Sequence, residues 1–158
     1  MKRSILPGIC FLAMVSCGPN YIVNTKVEDT PNNRLIADLV EHYREAIQQR
    51  DVSALKEIVS RKYFSNAGTT SEAGDDYGYE QLEKRVLPML QENVKSVQYT
   101  LVLKKITFMG ETRAAAEFEY QYKYFYVEAG KERWSARNDY NKLEFALEDG
   151  VWRITSGL

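Results

Sequence analysis

Cysteine and histidine are nearly absent from this sequence. Its 158 residues contain two cysteines, Cys10 and Cys17, and a single histidine, His42. Two cysteines cannot build a disulfide framework. One histidine with so few thiols cannot supply the three or four ligands of a zinc site, so neither a metal nor another cofactor is expected. Charge of one sign is not in excess either, with 21 Lys and Arg against 22 Asp and Glu. A nucleic-acid partner would require a basic face, so none is expected. No apolar run approaches the roughly 20 residues that a membrane-spanning helix needs.

What is present begins at the first residues. MKRSILPGICFLAMVSCGPN carries Lys2 and Arg3, an apolar run from Ile5 to Val15, then Ser16 and Cys17. This is the order of parts in a secretory signal, and residues 1–16 are read as a leader that is removed. The stretch LAMVSC, with Met14 where leucine is preferred, resembles the lipobox of bacterial lipoproteins, whose cysteine is acylated and becomes the mature N-terminus. The resemblance implies a lipid on Cys17 and a cell-envelope protein anchored to the membrane. Gly18 in the next position implies the outer membrane, facing the periplasm. Cys17 would then be the only thiol of the mature chain, which accounts for an odd cysteine in an exported protein. Residues 17–32, rich in Gly, Pro, Asn and Thr, are expected to be the lipidated cysteine and a flexible tether with a reach of about 50 Å. Residues 33–158 are long enough for one domain.

Within that domain the apolar period is first helical. Leu35, Ile36, Leu39, Val40, Tyr43, Ala46 and Ile47 share one face of a helix over about 33–50. Asp51 caps a second helix that holds Leu55, Ile58 and Val59. A third helix, about 79–93, contains Pro88, which is expected to kink it. From Lys95 the period becomes two. Val97, Tyr99, Leu101 and Leu103 alternate, then the phase slips to Ile106 and Phe108. A second strand alternates without a break from Ala114 to Tyr126. A third shows Trp134, Ala136, Asn138 and Tyr140 before slipping to Leu143, Phe145 and Leu147, and a last begins at Val151. Each slip predicts a bulge, and bulges bend long strands. The expected class is α+β, with three N-terminal helices packed into a strongly curved antiparallel sheet.

The order of elements resembles the nuclear transport factor 2-like superfamily, the cone-shaped α+β roll shared with ketosteroid isomerase and polyketide cyclases. HYREAIQQRDVSALKEIVS, residues 42–60, and the closing WRITSGL carry the likeness. By that resemblance Tyr43 matches the first-helix tyrosine that donates to an oxyanion in the isomerase. Ser65 and Asn66 stand where its carboxylate base would be expected, which argues against proton abstraction.

The row Phe118, Tyr120, Tyr122, Tyr124, Tyr126 in EFEYQYKYFYV raises the remaining question. Aromatic residues on a half-buried strand usually pack a core, but several buried hydroxyls need partners. Tyr43, Tyr120, Tyr122, Tyr124, Trp134, Asn138 and Tyr140 are therefore the candidate lining of a pocket inside the cone. No catalytic residues are assigned. The expected function is non-catalytic binding of a small-molecule ligand or an envelope protein. The alternative is an exported cyclase, dehydratase or isomerase using Tyr43 and a loop carboxylate such as Asp76. The mostly charged outer row Arg113, Ala115, Glu117, Glu119, Gln121 and Lys123 points to a monomer or weak homo-oligomer, although relatives often dimerise through this face.

Overall fold

A computed structural model describes residues 18–66, 76–92 and 94–158. Cys17 and the leader before it, and Asp75 with the loop around it, lie outside the described residues.

The first helix, α1, spans Pro31–Gln49. Thr30 caps it by accepting a hydrogen bond from the Asn33 amide, and Pro31 fits the first turn because its missing N–H would have had no partner there. Ile36, Val40, Tyr43 and Ala46 form its buried stripe. Arg50 ends it in the left-handed region, and Asp51 N–H closes the turn on the Ala46 carbonyl at 2.8 Å. The Asp51 side chain in turn accepts from the Ala54 amide and starts α2, Val52–Ile58. A two-stranded ladder, β1 Phe64–Ser65 with β2 Tyr77–Gly78, leads to the third helix. That helix is continuous but irregular: α3 Tyr79–Gln81, a π-helical stretch Leu82–Val86, and α4 Leu87–Glu92. Pro88 has no N–H, and in a regular helix its ring would strike the carbonyl four residues back. The chain widens instead, with Leu87 N–H bonded to the Leu82 carbonyl.

Four strands follow as an antiparallel meander: β3 Val94–Phe108, β4 Arg113–Glu128, β5 Lys131–Glu148 and β6 Val151–Ser156. β4 joins β5 through Ala129 and Gly130, and β5 joins β6 through Asp149 and Gly150. All four have positive φ, the geometry of the tight turns whose twist matches that of the strands. The concave face holds the core, with Phe118, Phe145, Leu143 and Ile154 fully buried against Ile36, Val40, Leu55 and Leu82. At the end of β6 Gly157 has φ +101°, and a Cβ there would lie 2.2 Å from the Lys142 carbonyl oxygen. Only glycine fits that approach.

The bulge expected in β3 is present between Leu103 and Lys105, and after it Ile106 and Phe108 stay on the concave face with Ala116 and Ala114. The bulge expected between Tyr140 and Leu143 is not. Pairing of β5 with β4 runs unbroken from Lys131 to Ala146, and the only shift on β5 is against β6, at Glu144 and Phe145.

The tether is also shorter than the sequence suggests. Ile22 N–H bonds to the Val27 carbonyl at 2.9 Å, Asp29 N–H to the Asn20 carbonyl at 2.7 Å, and Tyr21 pairs with Glu28. The resulting small hairpin is clipped to α1 by Asn33 Nδ2 on the Glu28 carbonyl and by the Arg34–Asp29 ion pair. Val27 is 5% exposed and belongs to the core. Polar composition concealed this because a single valine supplies the burial. Val27→Ala removes two buried methyl groups and is expected to lower unfolding free energy by about 2 kcal/mol in a denaturant titration. A tether residue would leave it unchanged.

Candidate functional site

Beyond Phe118 the concave face is covered only in part by α1 and α4, and a cavity of about 690 Å³ opens there. α1 contributes Tyr43 and Ile47, α4 contributes Met89 and Leu90, and β3 contributes Val94, Val97 and Tyr99. β4 supplies Tyr120, Tyr122, Tyr124 and Tyr126, while Asn141 and Leu158 close one side. Val127 and Glu128, beside the β4–β5 turn, mark the mouth.

The tyrosines form one connected aromatic surface. Tyr43 meets Tyr99 edge-on at 6.0 Å, Tyr99 stacks on Tyr120 at 5.7 Å, and Tyr120 stacks on Tyr122 at 5.9 Å. Tyr124 follows Tyr122 at 5.3 Å and Tyr126 follows Tyr124 at 5.5 Å, both tilted. Alternate residues on a strand are about 7 Å apart, so the rings lean along the strand to touch. Tyr43 and Tyr99 sit together at the floor, both buried. Burial raises the pKa of Tyr43, and burial followed by the neighbouring Tyr43 raises that of Tyr99 well above the ordinary tyrosine value. Burial likewise raises Tyr120. The floor is thus apolar surface studded with neutral hydroxyls, each able to donate and accept.

Leu158, on the cavity wall, is fixed from behind. Its N–H donates to the Tyr63 hydroxyl at 2.9 Å, and its carbonyl oxygen accepts from Tyr63 and Tyr77. Burial pushes Tyr63 up as well.

Of the residues expected to line the pocket, Tyr43, Tyr120, Tyr122 and Tyr124 come together there. Trp134, Asn138 and Tyr140 do not. Residues directly opposite in an antiparallel pair share a face, and β5 places Ser135, Arg137 and Asp139 opposite Tyr124, Tyr122 and Tyr120. Trp134, Ala136, Asn138 and Tyr140 therefore occupy the convex face, where Trp134 is 64% and Tyr140 71% exposed. The apolar phase of β5 misled because the concave row is polar at this end and the convex row is aromatic. Arg137 pairs with Asp139 beside Tyr120 and Tyr122. The Tyr140 backbone N–H, then Arg137, hold the Asp139 carboxyl below its usual range. Periodicity gave no signal for this pair; only register with β4 could have placed it. Met89, Leu90, Val97, Tyr99 and Asn141 also belong to the lining, and Val97 and Tyr99 carry a periodic signal as members of the apolar row of β3.

His42 is exposed and borders a different groove. Asp76 does not line the cavity. Among the described residues no group of three or more metal-ligating side chains occurs.

No family profile and no curated protein matches the sequence. Solved structures do match the fold. A nuclear transport factor 2-like superfamily protein from Salmonella enterica superposes with a TM-score of 0.62 at 16% identity, over 78% of this chain and 86% of that one. The chain has the nuclear transport factor 2-like fold. A protein of cystatin-like fold from Caulobacter vibrioides gives 0.59 at 19% identity, over 79% and 85% of the two chains. A protein named as a scytalone dehydratase from Novosphingobium aromaticivorans gives 0.62 at 15% identity, over 80% of each. These identities carry the fold and not the activity.

The buried hydroxyls make stability pH-dependent. In the unfolded chain tyrosines ionise near pH 10. Folding holds Tyr43, Tyr63 and Tyr99 neutral to higher pH, so the stability they contribute is complete below about pH 10 and is lost as pH rises above it. Each costs about 1.4 kcal/mol per pH unit while it resists ionisation. Urea unfolding followed upward from about pH 9.5 should show this decline, and Tyr99→Phe should make it shallower.

Proposed function

We propose that the protein is a lipid-anchored component of the cell envelope, a monomer or weak homo-oligomer that binds a small, largely apolar molecule in the tyrosine-lined cavity without transforming it. The observation that carries the reading is the chemistry of the lining. The cavity combines an apolar aromatic wall with convergent neutral hydroxyls, and among its described lining residues the only carboxylate side chain is that of Glu128, at the mouth. Such a surface supports a flat or chain-like ligand by contact area and orients it by one or two hydrogen bonds. General acid–base chemistry needs a group that titrates near working pH within reach of the substrate, and the floor tyrosines are shifted away from that range. The alternative, an exported cyclase, dehydratase or isomerase using Tyr43 and a loop carboxylate, is supported by the dehydratase among the fold relatives. Asp76 offers it no base at the cavity.

Leu90→Trp tests the binding reading. Leu90 is half-buried on the cavity wall, so the larger side chain should fill free space without loss of melting temperature. Binding of an environment-sensitive apolar dye should fall at least tenfold. Destabilisation by about 1–3 kcal/mol, the usual cost of overpacking, with dye binding unchanged would show a filled core and remove the ligand-binding reading.

Anchoring is tested separately. Cells labelled with a radioactive fatty acid should incorporate it into the wild-type protein and not into Cys17→Ser, which should remain unprocessed. Absence of label from the wild type would overturn the anchor and leave the cavity reading intact.

A further inference from the structure

We infer that the end of the domain where α1 begins rests on the bilayer surface, with the mouth of the tyrosine cavity directed away from it. This deepens the lipid-anchor reading and rests on it. Cys17 lies three positions before Asn20, and Asn20 is already bonded to Asp29 in the N-terminal hairpin. The linking chain therefore reaches about 10 Å at most, little more than the roughly 6 Å headgroup layer of one leaflet. A domain on so short a leash cannot turn over. The hairpin is held against the start of α1 by Asn33 and Arg34, so the anchored end is structurally defined.

That end carries the surface a lipid headgroup layer would accept. Between α1, the β3–β4 turn and the β5–β6 turn runs a groove of about 790 Å³ containing Leu35, Phe108, Val151 and Trp152. Leu35 is 54% and Val151 52% exposed, and on the hairpin itself Val23 is 82% exposed. Asp38 and Glu111 on the groove rim are acidic, so the contact is apolar and gains nothing from anionic lipid. The opposite end, with the β4–β5 turn and the cavity mouth, stands about 60 Å away measured along β5. A ligand would accordingly reach the cavity from the aqueous side and not by lateral diffusion out of the anchoring leaflet.

The two tryptophans of the chain report on the two ends. Trp152 lies in the groove, whereas Trp134 is on the convex face near the β4–β5 turn. The full lipidated chain is reconstituted in phosphatidylcholine vesicles containing lipids spin-labelled near the headgroup. Mass spectrometry confirms the lipid on Cys17, and flotation confirms attachment. In Trp134→Phe the remaining Trp152 emission should be quenched by a larger fraction than the wild-type emission, because the spared Trp134 signal has been removed. A lipidated, floating Trp134→Phe protein quenched by the same fraction as wild type, or by less, overturns the orientation and leaves the anchor standing. A chain without lipid on Cys17 overturns both.

Discussion

A helix and a strand of similar residue count differ in length by more than twofold, and this mismatch shapes the molecule. α1 has 19 residues and β5 has 18. At about 1.5 Å per residue the helix is near 28 Å long, while at about 3.3 Å the strand is near 60 Å. No arrangement of α1 alone can cover the concave face of the sheet. The bulge at Leu103 and Lys105 bends β3 and lets one half of the sheet close over the helix, with Phe118 and Leu143 sealed against it. The other half is covered only in part, by the end of α1, where Arg50 reaches the Val94 carbonyl, and by α4, and the cavity is the space that remains.

The composition of β4 follows this boundary. Toward its start, Ala114 and Ala116 leave room for the helices and are fully buried. Phe118 marks the limit of the dry core. From Tyr120 to Tyr126 every concave position carries a hydroxyl, because the ring still gains from contact with its neighbours while the polar tip can be wetted or bonded. The row is neither a pure core nor a set of isolated polar groups. It grades from one to the other along a single strand, with Tyr43 and Tyr99 as the last fully enclosed pair.

Much of this was legible in the residues. The helical stripe of α1, the cap at Asp51, the meander and the slip between Leu103 and Ile106 all follow from local periodicity, which the structure obeys. In β5 a two-residue period identifies two faces without saying which is concave, and here the concave row is the polar one. Arg137 and Asp139 sit inside the curve, while Trp134 and Tyr140 sit outside it. The N-terminal hairpin escaped notice for a related reason. Its stability comes from tertiary contact through Val27 and from a few backbone bonds, and neither leaves a pattern in a short polar stretch. At Pro88 the expected irregularity takes the form of a π-helical widening over Leu82–Val86, which sequence periodicity does not encode.

β6 is only six residues long and pairs with β5 from Glu144 to Glu148, so the greater part of β5 has a neighbour on one side alone. From Lys131 to about Asn141 the sheet therefore ends in a row of open backbone donors and acceptors, the feature through which strands of separate molecules join into aggregates. That stretch is also where Lys131, Glu132, Arg133, Arg137 and Asp139 fall. Placed along the free edge, charges of both signs make an incoming strand desolvate ions before it can add a ladder bond. The polar half of β5, which contributes so little to the core, thus keeps the sheet from growing.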